Sequence, residues 1–160
     1  MYVVIDTREK PKAIGGIIDY FDRNGIQHVS SKLLFGDYMD YSHPQIVVDR
    51  KQNIAELAKN CTTEHERFKR EMQKAKDAGA FLFILVEQNR YKDRSEWVQV
   101  NCIDDLIRWS SPHTMVRGEQ VFRILWSWMN KYPVAVEFCD KRSTGKRIIE
   151  LISKGDNDER

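Results

Sequence analysis

The chain has 160 residues, 41% hydrophobic and 31% charged, a composition that suits one globular domain with its own core. Its net charge of +2 is nearly balanced, so any affinity for a polyanion has to come from local clusters of basic residues. The longest apolar run, residues 80–86, is too short to cross a bilayer, no secretion-signal pattern opens the chain, and three widely spaced cysteines (Cys61, Cys102, Cys139) predict reduced, semi-buried thiols with no disulfide framework or zinc site.

In chain order, Tyr2-Val3-Val4-Ile5 reads as a buried strand that delivers Asp6-Thr7-Arg8-Glu9 at its end. Ile14, Ile17, Ile18 and Phe21 recur at helical spacing, and Asn24-Gly25 stops that helix. A strand is predicted over 26–35, leading into Gly36-Asp37. Residues 38–41 continue the sheet, Ser42-His43-Pro44 turns, and 45–50 form the next strand. A short helix follows over 53–60. Thr63-x-x-Glu66 has the form of a capping box for a longer helix that turns Phe68, Met72 and Ala75 inward and closes at Gly79. Residues 81–86 form a fully buried strand, and 87–101 are polar, aperiodic and expected to be a mobile loop. Asn101 can cap a short helix through Trp109, which Ser111-Pro112-His113 breaks.

The helix at 118–131 is apolar all round. Val121, Ile124, Leu125 and Trp128 share one face, and Phe122, Trp126 and Met129 lie on another. Such a helix is deeply buried or covered by a second subunit, which predicts a homodimer with Trp126 near its centre; a monomer with 87–101 folded over that face is the alternative. A last strand at 134–138 precedes a helix capped by Thr144 and carrying Ile148, Ile149, Leu151 and Ile152. The domain is expected to span 1–154, with 155–160 a charged, frayed tail.

The chemistry gathers around Gly36-Asp37 and, twelve positions after Asp37, Asp49-Arg50-Lys51 at the end of an apolar strand. Two carboxylates at adjacent strand ends offer hard oxygen ligands suited to Mg²⁺. Such an ion activates water and neutralises charge on a scissile phosphate, and a nearby lysine supplies a movable cation. Taken alone, Asp-x-Lys is most often surface charge, and Asp6 and Arg8 read equally well as a turn cap and half of a solvated pair. On the 64–78 helix, Arg67, Arg70 and Lys74 share a face that could track a phosphate backbone; an ordinary solvated face with Glu64, Glu66 and Glu71 as partners is as good a reading. Thr144-Gly145-Lys146 lacks the glycine and Ser/Thr of a phosphate-binding loop, and the four histidines have no metal-ligand spacing. The four tryptophans read as core or interface anchors before base-stacking platforms.

Val4-Ile5-Asp6-Thr7-Arg8-Glu9, Gly36-Asp37-Tyr38, Val48-Asp49-Arg50-Lys51 and Arg67 with Glu71 together resemble the nuclease domain of the XPF family of structure-specific endonucleases, also known as the ERCC4 type. The resemblance is strong over residues 2–90 and weaker from Phe138 to Ile152. It implies an α/β fold with a restriction-endonuclease-like PD-(D/E)xK core, a central mixed sheet flanked by helices. It implies catalytic roles for Asp37, Asp49, Lys51, Asp6 and Glu9, metal binding by Asp37, Asp49 and Asp6, and DNA contacts from Arg8, Arg50, Arg67, Arg70 and Lys74, with a structural role open for the arginines. The implied cofactor is Mg²⁺, with Mn²⁺ as a substitute. The implied partner is DNA, branched or junction in form, and no membrane.

Four departures from the family pattern stand out. Asp49 replaces a glutamate, Ala55-Glu56 stands where an acidic residue is displaced, Glu71 replaces a glutamine, and no tandem helix-hairpin-helix domain is present. The short form resembles stand-alone proteins of bacteria and their phages, which places it in the cytoplasm. The leading expectation is therefore an endonuclease leaving 5′-phosphate and 3′-hydroxyl ends, in repair, recombination, restriction or phage DNA processing. The runner-up is a catalytically inactive DNA-binding or scaffold partner of the same fold.

Overall fold

The computed structural model describes residues 1–88 and 99–154. Six strands form one mixed sheet in the order β2-β1-β3-β4-β5-β6: β1 (Tyr2–Ile5), β2 (Gln27–Ser30), β3 (Tyr38–Asp40), β4 (Ile46–Lys51), β5 (Phe81–Gln88) and β6 (Val134–Asp140). β1–β2, β4–β5 and β5–β6 are parallel, while β3 runs antiparallel to both β1 and β4. Helices α2 (Ile54–Cys61), α3 (His65–Asp77) and α4 (Gly118–Lys131) cover one face of the sheet, and α1 (Pro11–Arg23) and α5 (Thr144–Ile152) cover the other. This is the restriction-endonuclease-like α/β architecture.

Because β-strand side chains alternate, each central strand feeds two cores. Val47 of β4 and Leu82, Ile84 and Val86 of β5 pack with Leu57, Phe68, Met72 and Leu125 on the α2–α3–α4 side. Val48, Phe83 and Leu85 pack with Ile14, Phe21, Ile148 and Leu151 on the α1–α5 side. A sheet covered on both faces explains why 81–86 is apolar without interruption.

Several elements differ from expectation. β2 ends at Ser30, and 31–37 crosses irregularly to β3, with Ser31 N donating to Ile5 O before the chain leaves the sheet. The Thr63 capping box does not form; Glu64 occupies the N-cap of α3 without a side-chain cap. A side-chain cap forms instead on α2, where Asn53 Oδ1 accepts from Glu56 N and Glu56 Oε2 accepts from Gln52 N just before the cap. Cys102, not Asn101, caps the 3₁₀ helix Ile103–Arg108, and α5 begins at Thr144 with Ser143 as its N-cap. Glu87 and Gln88 extend β5, and the Gln88 amide pairs with both backbone groups of Val100; of the loop expected over 87–101, residues 89–98, Trp97 among them, lie outside the described residues, as does the tail 155–160.

The thiols sort more sharply than expected: Cys61 and Cys139 are buried and Cys102 is exposed, all three free. On α4, Phe122 and Met129 are half-buried against the core, so the second apolar face is partly covered within the chain, while Trp126 stays 56% exposed. Among the described residues no helix is long and apolar enough to cross a membrane.

Candidate active site

The site starts from a turn that only glycine can make. Gly36 has φ of +66°, and a Cβ placed there would press on Val47 Cγ1. This close approach sets Asp37 between two strands: Asp37 N donates to Val48 O at 2.8 Å, and Asp6 N donates to Asp37 O at 2.8 Å. The Asp37 side chain then accepts Arg50 N on Oδ2 at 2.8 Å. The carboxylate is thereby held at the end of β4.

Alternation along β4 decides the rest. Asp49 and Lys51 fall on the Val47 side, facing α2 and α3, and Arg50 falls on the Val48 side. Asp37, Asp49, Lys51, Glu56 and Glu71 line one open cleft of about 290 Å³, with Arg8, Glu9, Lys10, Arg50 and Gln52 completing its wall. Asp49 is 3% exposed and Lys51 6% exposed. Lys51 Nζ lies 2.5 Å from Asp49 Oδ1, an ion pair without hydrogen-bond geometry, and 4.6 Å from the centre of the Phe68 ring.

One lysine does not neutralise this cluster. Burial, reinforced by the charges of Asp49 and Glu9, holds the Asp37 carboxyl well above the ordinary carboxylate range. Burial pushes Asp49 up to about 6; Lys51 opposes that rise and Glu71 adds to it. Burial works against the Lys51 charge as well, yet Asp49 beside it more than compensates and keeps the ammonium protonated. Two hard-oxygen donors whose carboxyls burial and neighbouring carboxylates hold above their ordinary range form a donor set that fits a divalent cation. Among the described residues no group of three or more His, Cys, Asp or Glu side chains is arranged to enclose an ion. An open two-carboxylate arrangement is the kind Mg²⁺ tolerates, since it keeps waters and takes remaining ligands from substrate phosphate.

The other sequence-predicted acids are already engaged. Asp6 is 1% exposed; its Oδ1 accepts Arg8 N at 2.8 Å and Arg8 Nε at 2.6 Å, and its Oδ2 accepts Leu33 N at 2.6 Å. Burial would raise its pKa, but these donors outweigh burial and lower it. Asp6 therefore does not join Asp37 and Asp49 in the cleft; it ties the end of β1 to the crossing segment. Glu9 reaches the cleft wall, yet both its oxygens accept from Arg50, Nε to Oε1 and Nη2 to Oε2, each at 2.8 Å. Arg50 Nη1 also donates to Glu87 Oε2 at 3.2 Å, and Tyr38 Oη donates to Glu9. At 5% exposure, Arg50 has three of its five N–H donors on these two carboxylates. Of the two roles the sequence left open for Arg50, this geometry fits the structural one.

Of the basic residues that the sequence offered as DNA contacts, Arg8 at the cleft edge and Arg67, Arg70 and Lys74 on α3 are exposed. Arg67 pairs with Glu64 at 2.5 Å, as the solvated-face reading expects, while its charge also feels Glu71 and Asp49. Glu71 is the residue whose place the sequence left undefined: half-buried, lining the cleft, its Oε1 accepts Gly36 N at 2.9 Å. Its four-residue spacing from Arg67 was the available signal.

A family model described as the ERCC4 domain matches residues 5–150. The chain belongs to the ERCC4 domain family. Two solved structures resemble this ERCC4 domain over 98% of its length: XPF from Aeropyrum pernix, at 19% identity with a TM-score of 0.64, and XPF from Aeropyrum pernix in complex with DNA, at 18% identity with a TM-score of 0.61. The matches cover 65% and 66% of those chains, so this chain spans about two thirds of their length. At such identity the likeness is one of fold. A search of the curated proteins returned no match.

The rejected phosphate loop is also accounted for in this ERCC4 domain. Thr144 and Gly145 are buried in the first turn of α5, where a Cβ on Gly145 would press on Tyr20 of α1. Trp109 and Trp128 are core residues, in keeping with the anchor reading.

Proposed function

We propose that this ERCC4 domain, residues 1–154, is a Mg²⁺-dependent DNA endonuclease acting in the cytoplasm on branched, junction or flap DNA. The observation that carries the reading is the convergence of Asp37, Asp49 and Lys51 in one cleft with two carboxyls held above their ordinary range. Asp37 and Asp49 would hold Mg²⁺, or Mn²⁺ in its place; when bound, that ion supplies charge neutralisation at the phosphate and an activated water. Lys51 presents a cation held by Asp49 and Phe68, placed to orient the attacking water or a phosphate oxygen. Cleavage leaves 5′-phosphate and 3′-hydroxyl ends. Arg8, Arg67, Arg70 and Lys74 contact the DNA backbone, and Asp6, Glu9 and Arg50 frame the site from within. A relative of the same fold is described in complex with DNA, which supports the choice of polymer. The intact acid and lysine set favours an enzyme over an inactive scaffold partner.

A panel of flap, fork, four-way junction and plain duplex DNA with Mg²⁺ tests this reading. Preferential, chelator-sensitive cutting of a branched substrate is the expected result. Failure to cut any of the four with Mg²⁺ or Mn²⁺ overturns it in favour of the inactive partner. A homodimer through α4 belongs to the same reading, because exposed Trp126 stacks on Phe122 at 6.1 Å and offers an apolar contact for a second copy. A wild-type monomer in sedimentation at high micromolar concentration would end that part.

A further inference from the structure

Glu71 occupies a position that neither the carboxylate pair nor the basic stripe explains. Its Oε1 accepts the N–H of Gly36, the residue immediately before Asp37. Gly36 is pinned from the sheet side already, with its left-handed φ and its approach to Val47. The hydrogen bond from Gly36 N adds a restraint from the helix side, beside the longer one, 3.4 Å, that Gly36 O accepts from Arg8 Nη2. The next residue, Asp37, has its main chain shared between Asp6 and Val48 and its Oδ2 taken by Arg50 N, which leaves Oδ1 for a cation. Without the Glu71 carboxylate, the peptide between Phe35 and Gly36 loses its hydrogen bond to α3, and the turn can rotate about the glycine.

We infer that Glu71 is a positioning residue: its carboxylate anchors the Gly36–Asp37 turn to α3 and so sets where the Asp37 carboxylate stands in the cleft. The inference rests on the nuclease reading for its effect on turnover, but not for the anchor itself. Arg67 lies four residues before Glu71 and Lys74 three after, so the anchor shares a face of α3 with two residues of the basic stripe. DNA held on that face bears on the same turn of helix that holds Asp37. An acceptor oxygen is what the anchor requires, and glutamine in place of Glu71 keeps one while removing the charge.

Glu71→Ala and Glu71→Gln, both compared with wild type, separate the possibilities. Metal-free protein is followed by amide exchange at Gly36 and by Mn²⁺ titration, and the best-cleaved DNA of the panel gives kcat and KM. With Glu71→Ala, Gly36 N–H should exchange faster, Mn²⁺ binding should weaken, and kcat should fall on the order of 10- to 100-fold with KM for DNA near wild type, the scale expected when a reacting geometry shifts slightly. Glu71→Gln should rescue Gly36 protection and most of kcat. If Glu71→Gln is as damaged as Glu71→Ala, the charge is what matters and the anchor is wrong. Wild-type exchange at Gly36 in Glu71→Ala also overturns it. A wild-type protein that cuts no DNA defeats the nuclease reading alone, and Gly36 exchange then decides the anchor.

Discussion

The two faces of β4 carry adjacent charged residues into opposite circumstances. On the α2–α3 side, Asp49 and Lys51 open into a cleft where Asp37 and Glu71 add negative charge that one ammonium does not balance. On the α1–α5 side, Arg50 is enclosed by Glu9 and Glu87, with each guanidinium nitrogen donating to a carboxylate. Both sets are buried and both hold more carboxylates than cations, yet only in the second does every carboxylate accept a hydrogen bond from the cation. A buried ion cluster that is internally satisfied is scaffold, and one that is not is suited to take up a cation or a substrate. The contrast arises because consecutive strand residues point to opposite sides of the sheet.

Removing a carboxylate from the open face should have the largest effect. Asp37→Asn or Asp49→Asn is expected to reduce cleavage by more than the roughly 10- to 100-fold that outer-shell partners cost, with folding retained by circular dichroism. Full activity in either purified variant would sink the assignment. The same face should make the metal-free protein sensitive to pH. Asp49 titrates near 6 in the fold against an ordinary value of 3.8, so the folded state binds the proton more tightly than the unfolded chain. Stability should therefore fall as pH rises from about 4 to about 6, and Mn²⁺ affinity should rise over the same window as the proton is displaced. Asp37→Asn should flatten that decline and raise the melting temperature near pH 7, because it relieves repulsion while an amide oxygen can still accept Arg50 N. Thermal melts across pH 4 to 8 would show whether the decline is absent, which would contradict the electrostatics described.

Breaking the satisfied face should act on stability instead. Arg50→Met leaves Glu9 and Glu87 without their cation, at a cost of about 3–5 kcal/mol in urea unfolding. Adding Glu87→Gln to it should recover part of that loss. A loss of DNA affinity with unchanged stability in Arg50→Met would instead make Arg50 a phosphate contact.

The smallest effect is expected on the outer surface of α3. Arg67, Arg70 and Lys74 changed together to Gln should flatten the dependence of log affinity on log salt by roughly 0.9 for each phosphate no longer neutralised. An unchanged slope would leave the stripe as solvated surface, a role that the Arg67–Glu64 pair already fills in part.

Much of this was legible from residue order. The strand and helix sequence, the helix ends at Gly25 and Gly79, and the meeting of Asp37, Asp49 and Lys51 follow from local pattern plus the family resemblance. The fate of Arg50 was within reach too, since strand parity alone turns it away from its neighbours. Its partner Glu87 was not, because that residue read as the start of a polar loop and proved to be the end of β5. Thr63 failed as a cap while Asn53 succeeded: both have an acid three residues on, and only the path of the chain into each helix distinguishes them.

The amino-acid sequence by itself determined the elements, the two-sided burial of the central strands and the glycine on which the Gly36–Asp37 turn depends, because these rest on side-chain periodicity and backbone sterics over a few residues. Only the tertiary structure decided which acids stayed open. Asp6, Glu9, Asp37, Asp49 and Glu71 are alike as isolated carboxylates. Their roles separate through donors brought from 27 to 41 positions away, Leu33 to Asp6, Gly36 to Glu71 and Arg50 to Glu9. A carboxylate's chemistry is set by what neutralises it, and those partners meet only when the sheet is assembled.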